Sequence, residues 1–311
     1  MREQFLTLFP KGYEQIWRSV LKDVPLISEI RIRLGAPVIV YRTDGEWFLG
    51  EKGLTKNQFQ AIRTDEIQLS RYISHFCHDS IYAFQEELKQ GFVTLPGGHR
   101  VGVAGQVMLH QGEVEGMKHI TCLNIRLAHQ VKGAADGVMP FLYEEGKVLN
   151  TLIISSPGGG KTTLLRDIVR QVSEGNLYGQ GVSVSVIDER SEVAGCYQGV
   201  PQNDVGIRTD ILDGCPKEKG MMMMLRGMAP KVVAVDELGG SEEEKALFKL
   251  LFCGIKVIAT VHGEDLEDLR GKRSLDHILS SKQFERYIFL KRKEGCPRVV
   301  SICDKNFNSL F

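Results

Sequence analysis

The sequence predicts an α/β protein, a core of parallel strands joined by crossover helices behind a smaller domain of mixed α+β character. Three observations carry this. From about residue 148 onward, short β-branched runs alternate with helix-like stretches, the pattern of parallel strands covered on both faces. The chain has 311 residues, 42% of them apolar, which at roughly 150 residues per domain means about two domains with real cores and excludes disorder as the main state. The first 130 or so residues carry a separate mixed pattern, and the stretch 132–146, with its Gly and Ala, reads as the join. The expected domains are therefore 1–135 and 136–311.

Taken in order, the N-terminal part predicts a helix at 13–21, alternating strands at 29–34 and 38–42, and a helical region from 55 to 89. Strands at 92–95, 100–108 and 119–127 follow, with Pro96-Gly97-Gly98 as a turn. In the second part the apolar runs 148–154, 182–187, 232–235 and 255–261 predict core strands. Helices are expected at 161–172 and 241–252, the latter opened by Ser241 as N-cap with Glu244 three residues on, a capping box. Residues 287–291 and 298–302 flank a turn containing Glu294 and Gly295, which predicts an antiparallel hairpin at the sheet edge.

Composition narrows the function classes. Lys plus Arg and Asp plus Glu both total 39, so no global field draws the chain to nucleic acid or anionic lipid, and any such contact must be a local patch. No run approaches the roughly 18 apolar residues of a spanning helix, and the start lacks the order of a signal peptide, so a soluble, cytoplasmic chain is expected. The seven cysteines are scattered with no C-x-x-C pair, against a zinc module or a disulfide framework. Cys77 between His75 and His78 reads as part of an ordinary helix, because a metal would need a distant fourth ligand.

The strongest chemical signal is Ser155-Ser156-Pro157-Gly158-Gly159-Gly160-Lys161-Thr162, which follows an apolar strand and opens a helix. Glycines let backbone N–H groups converge on a β-phosphate, the helix N-terminus adds positive potential, Lys161 neutralises β/γ charge and the Thr162 hydroxyl can ligate Mg²⁺, with Thr163 beside it. Ser155 stands where the usual motif has its first glycine. A second strand ends in Asp236-Glu237. Asp236 can hold the Mg²⁺ shell, and Glu237 can orient and deprotonate water for in-line attack on a γ-phosphate; the pair could instead cap the next helix. A third strand ends in Asp188-Glu189-Arg190, whose carboxylates could touch metal or water or form a surface ion pair with Arg190. A fourth ends in His262, a candidate γ-phosphate sensor or a structural histidine. Arg208 and Arg226 are candidate charge stabilisers, in cis or from a neighbouring subunit, and nothing local separates them from surface arginines.

These four strand ends, in this order, resemble the Walker A loop, aspartate box, Walker B glutamate and histidine box of the P-loop ATPases of bacterial secretion and type IV pilus systems. More closely, the stretches 188–192, 206–217, 220–230 and 235–239, with Glu29-Ile30-Arg31-Ile32-Arg33 and Leu123-Asn124-Ile125-Arg126, are similar to the stage III sporulation AA proteins of endospore-forming bacteria, over nearly the whole chain. The resemblance implies a RecA-like P-loop ATPase core using ATP and Mg²⁺, in a homo-oligomeric ring, a hexamer. It implies a protein peripheral on the mother-cell membrane around the forespore, powering an envelope-spanning channel. Its partners would be an integral membrane protein similar to secretion platform proteins and the other stage III channel proteins, with no nucleic acid. In secretion ATPases N-terminal arginines reach the nucleotide, which points to Arg126 and, less directly, Arg100. Two departures stand out: Ser155 in the loop, and Asp236 where secretion ATPases often carry glycine. The four-cysteine metal module of some type II ATPases is missing from the sequence.

Two other classes stay open. A RecA-like fold also serves nucleic-acid motors, but those need a basic path with stacking aromatics, and here the aromatics of the ATPase half do not interleave with Lys or Arg. A nucleotide-gated scaffold with little turnover would carry the same motifs. The most basic stretch, 282–305, holds seven Lys/Arg against three acids and reads as a solvated hairpin face, or as a contact for acidic partner loops or lipid head groups. The run Met221 to Met224 reads as buried helix rather than as a flexible binding surface.

Overall fold

The computed structural model describes residues 5–80, 84–89, 91–272, 275–293 and 296–311. They form two compact units, Met1–His129 and Gln130–Phe311.

The first unit is built on an antiparallel sheet of seven strands: β1 (Ile27–Arg33), β2 (Ile39–Arg42), β3 (Gly45–Gly50), β4 (Gly53–Thr55), β5 (Phe92–Leu95), β6 (His99–His110) and β7 (Glu113–Arg126). Their order is β4-β3-β2-β1-β7-β6-β5. In β1 the period-two alternation decides the register: Ile30 and Ile32 are fully buried while Arg31 and Arg33 face away. Helices α1 (Glu14–Arg18), α2 (Glu66–Phe76) and α3 (Gln85–Lys89) accompany the sheet. Asp65 caps α2, accepting from Gln68 N–H at 2.7 Å while the Gln68 side chain accepts from the Asp65 N–H at 3.2 Å. Buried Leu69, Tyr72 and Phe76 line one face of α2. Trp17 joins them through a 3.1 Å bond from its indole N–H to the Tyr72 hydroxyl.

The expected helical region 55–89 is broken up. Residues 61–64 are extended, bridging Gly50 with Ala61 and Leu34 with Thr64; the caps at Asn57 and Asp65 start a short turn at Gln58–Gln60 and α2, and α3 is the other helix of this region among the described residues. Residues 81–83 of that region lie outside the described residues. Strand β3, entered by a turn at Thr43-Asp44, is an addition to the predicted set.

The second unit carries two small ribbons, β8 (Tyr143–Glu144) with β9 (Lys147–Val148) and β11 (Gly175–Asn176) with β12 (Gly179–Gln180). Its main sheet contains β10 (Thr151–Ser155), β13 (Val184–Asp188), β14 (Thr209–Asp213), β15 (Val232–Val235), β16 (Lys256–His262), β17 (Arg286–Lys293) and β18 (Cys296–Asp304). The order is β14-β13-β15-β16-β10-β17-β18, parallel except for the final β17–β18 hairpin. Alternate residues feed two cores. Ile153, Val186, Ala234 and Ile258 pack with Leu164, Leu165 and Ile168 of α4 (Lys161–Glu174). Leu152, Ile154, Val233 and Val257 pack with Met221 and Met224 of α5 (Lys217–Gly227) and Leu247 and Leu250 of α6 (Ser241–Phe252). Two short helices, α7 (Leu266–Gly271) and α8 (Asp276–Ser280), complete the second layer. Because the strands are parallel, Ser155, Asp188, Val235 and His262 end at one edge, with Ser155 beside His262 in register.

Three expectations are revised. The run 148–154 divides between β9 and β10. The cap of α6 is Gly240, whose N–H, like that of Gly239, donates to Glu243 rather than Glu244, at 3.2 and 2.8 Å; Glu244 instead meets His277 at 2.5 Å. In the methionine run Met221 and Met224 are buried, but Met223 is 55% exposed, as a helix with one core-facing stripe requires. Residues Glu294 and Gly295 of the expected hairpin turn lie outside the described residues. Among the described residues, no helix is long and apolar enough to cross a membrane.

One titration follows from the first unit. His99 Nδ1 accepts the Ala128 N–H at 3.0 Å, and burial, with a smaller push from His129, lowers its pKa to about 4. A depressed pKa contributes stability that is present above the unfolded value near 6.5 and lost as pH falls through about 4. Acid titration of urea stability between pH 7 and 4 is expected to show a loss on the order of 2–3 kcal/mol, which His99→Asn flattens.

Candidate nucleotide site

The loop between β10 and α4 is shaped to receive an anion. Gly158 and Gly160 have φ of 71° and 93°, backbone open to glycine and strained for most other residues. Gly159 is required for space: a Cβ there would lie 1.6 Å from the Ser155 hydroxyl. That hydroxyl donates to the Ser156 carbonyl at 3.0 Å, so the serine in place of the first motif glycine fills the floor of the loop that Gly159 leaves vacant. Ser156 and Pro157 form the rise of the loop.

Lys161 is 5% exposed. Its ammonium donates to the carbonyls of Ser155 and Ser156 at 3.0 and 3.3 Å and to His262 Nδ1 at 3.1 Å. Burial lowers its pKa against the pull of Glu237 and Asp236. With Nδ1 accepting from Lys161, the Nε2 of a neutral His262 carries the proton and meets Glu237 Oε1 at 3.0 Å. The other Glu237 oxygen takes Arg190 Nη1 at 2.7 Å. Glu237 itself sits at φ 56°, a left-handed conformation that costs a non-glycine residue energy and concentrates at functional positions.

Asp236 adjoins it, 8% exposed. Its Oδ2 accepts the Thr162 hydroxyl at 2.7 Å and its Oδ1 the Thr260 hydroxyl at 2.5 Å. The Thr260 oxygen in turn accepts the Glu237 N–H at 2.8 Å. Burial raises the Asp236 pKa, opposed by these two hydroxyl bonds. Thr163 follows on α4, half-buried.

The structure thus brings Lys161, Thr162, Asp236, Glu237 and His262 together. Asp188 and Glu189 end the adjacent strand but are committed elsewhere. Asp188, 1% exposed, accepts the N–H groups of Glu192, Val193 and Ala194 at 2.8, 3.0 and 2.8 Å, and burial raises its pKa against those bonds. Arg166 clamps the same loop from below, donating to the carbonyls of Val193 and Glu192 at 2.5 and 2.6 Å. Glu189 pairs with buried Lys217 at 2.6 Å rather than with Arg190, correcting that alternative. Arg208 bonds the Ser173 carbonyl at 2.9 Å, at the C-terminal end of a 14-residue helix and so roughly 20 Å from the loop; within one chain it cannot act there. Arg226 is exposed in the last turn of α5. Arg126 ends β7 with an exposed side chain, and Arg100, its register partner, lies 4.8 Å over the Phe92 ring, both in the first unit. Sequence reasoning missed Thr260 as a bridge; its signal is one hydroxyl in the otherwise apolar run 257–261.

Comparison with known proteins decides the family. The sequence model of the family described as "Sporulation stage III, protein AA" matches residues 1–310. The chain belongs to that family. The stage III sporulation protein AA of Bacillus subtilis (strain 168) is 42% identical over 298 residues, 94% of this chain and 93% of the relative. The ATPase DotB of Yersinia pseudotuberculosis superposes with a TM-score of 0.63 at 14% identity, covering 96% of this chain and 81% of DotB. The pilus retraction motor PilT, in a crystal structure with bound ADP, superposes at 0.61 with 14% identity, covering 91% and 80%. These neighbours share the fold, a mixed α/β architecture with a RecA-like P-loop core.

The residues present fit a magnesium nucleotide. A single hydroxyl–carboxylate pair, Thr162 with Asp236, is what Mg²⁺ takes from protein when phosphates and waters fill its other positions. Asp188→Asn tests the clamp: the amide turns one of the two acceptor oxygens into a donor that faces one or two of the three N–H groups, and chemical denaturation should show a loss of about 2–4 kcal/mol with the secondary structure retained.

Proposed function

We propose that the second unit hydrolyses ATP, and that the chain acts as a ring-forming motor for a secretion-like channel between mother cell and forespore during sporulation. The observation that carries this reading is the convergence of a buried lysine, a threonine–aspartate pair and a strained glutamate on one glycine loop. Backbone N–H groups of 158–162 and the Lys161 ammonium bind the β- and γ-phosphates. Thr162 and Asp236 hold Mg²⁺, which when bound neutralises phosphate charge. Glu237 accepts a proton from the water that bonds to the γ-phosphorus as the bond to the β-phosphate oxygen breaks. His262, set between Lys161 and Glu237, registers whether the γ-phosphate is present.

Family membership supports the sporulation setting, and the fold shared with DotB and PilT supports a motor. We carry with it a homo-oligomeric ring, a hexamer, peripheral on the mother-cell membrane, with a platform-like membrane protein and the other stage III channel proteins as partners. A second reading, a nucleotide-gated scaffold with little turnover, is favoured by one feature: Arg190 and His262 occupy both Glu237 oxygens, so the base must be released before it can act.

One variant tests the phosphate site and a second separates the readings. Lys161→Ala should abolish ATP binding by calorimetry. Glu237→Gln should bind ATP as tightly as wild type yet release phosphate at least about 100-fold more slowly, the usual size of a lost general base. A scaffold would show the same slow release in both wild type and Glu237→Gln.

A further inference from the structure

We propose that the C-terminal β17–β18 hairpin is a wall of the nucleotide site, and that Arg292 on it binds the phosphates of a nucleoside di- or triphosphate in cis. This rests on the reading of the glycine loop as a phosphate site. The argument begins with topology. Strand β17 runs parallel to β10, with Ile154 beside Phe289, so its continuation past Leu290 emerges at the same edge as the loop. The hairpin then lies against the loop. A Cβ on Gly160 would come within 2.6 Å of Pro297 Cβ, and one on Gly158 within 4.0 Å of Arg292 Nη1. Pro297 therefore packs on the last glycine before Lys161, and the Arg292 guanidinium stands over Gly158, the first residue of the glycine run.

Register singles out Arg292 among the basic residues there. Lys291 pairs with Arg298, Arg292 with Pro297 and Lys293 with Cys296. Directly opposed residues of an antiparallel pair share a face and successive ones alternate. Arg292 and Pro297 thus occupy the face turned to the loop, while Lys291, Lys293 and Arg298 occupy the other. Among the described residues of the hairpin end, Arg292 is the cation on the loop side. Its planar fork suits bidentate contact with phosphate oxygens, which a surface lysine does not provide. The basic character of 282–305, which in the sequence suggested a solvated face or a partner contact, divides on this geometry into one phosphate-facing arginine and an outer group.

The test is calorimetric titration of the full chain with ADP, ATP, AMP and adenosine. Arg292→Ala is expected to weaken ADP and ATP by about tenfold or more, the scale of a charge-assisted contact, and to leave adenosine within about twofold. Arg292→Lys should recover part of the loss, and Arg298→Ala, on the outer face, should bind as wild type does. Thermal melting of each variant shows whether it is folded. Arg292→Ala binding ADP and ATP like wild type, or losing adenosine equally, would overturn the inference while leaving the loop assignment standing. A folded wild-type chain that binds no nucleotide would overturn the loop assignment and the inference with it.

Discussion

A lysine ammonium held almost out of water beneath a glycine loop sets the terms for the second unit. Taking Lys161 from solvent is costly, and burial lowers its pKa. Two carbonyls, the His262 ring and the nearby charges of Asp236 and Glu237 offset that cost. Those partners arrive from the ends of three different strands, so the ammonium is tolerated only if β10, β15 and β16 are parallel and in the observed register. The pairing of Ser155 with His262 is part of that condition. A one-residue slip would turn the apolar side chains of β16 to the wrong cores and carry His262 away.

The arrangement around Glu237 has the character of a resting state. Its backbone is held left-handed and its carboxylate lies between a guanidinium and an imidazole. Thr260 ties that backbone to Asp236, and Asp236 ties it to Thr162 at the head of α4. Short, directional bonds thus join Thr162 at the head of α4 to Glu237 and, through its carboxylate, to Arg190. The residues that follow Arg190 are themselves clamped by Asp188 and Arg166.

Much of this was legible from local pattern. The strand before the glycine loop, the loop itself, Asp236-Glu237 and His262 were found because their chemistry is written in consecutive residues or at strand ends. Pairings between distant residues were not. Nothing near Glu189 announces Lys217, nothing near Arg190 announces Glu237, and Asp188 differs from a metal ligand only in the three N–H groups that the fold delivers to it. Strand β14 escaped because its Thr-Asp-Ile-Leu-Asp sequence is half-exposed at a sheet edge and lacks an apolar run. In the first unit the helical reading of 55–89 failed where Asn57 and Asp65 cap locally and leave the residues between them to bridge strands.

The most direct measurement is phosphate release by the full wild-type chain across a range of its own concentrations, with and without Mg²⁺. A Mg²⁺-dependent rate whose specific activity climbs with concentration is the predicted result, since the proposed motor works as a ring that assembles from several copies of the chain. A rate at every concentration no higher than that of Lys161→Ala would contradict the account.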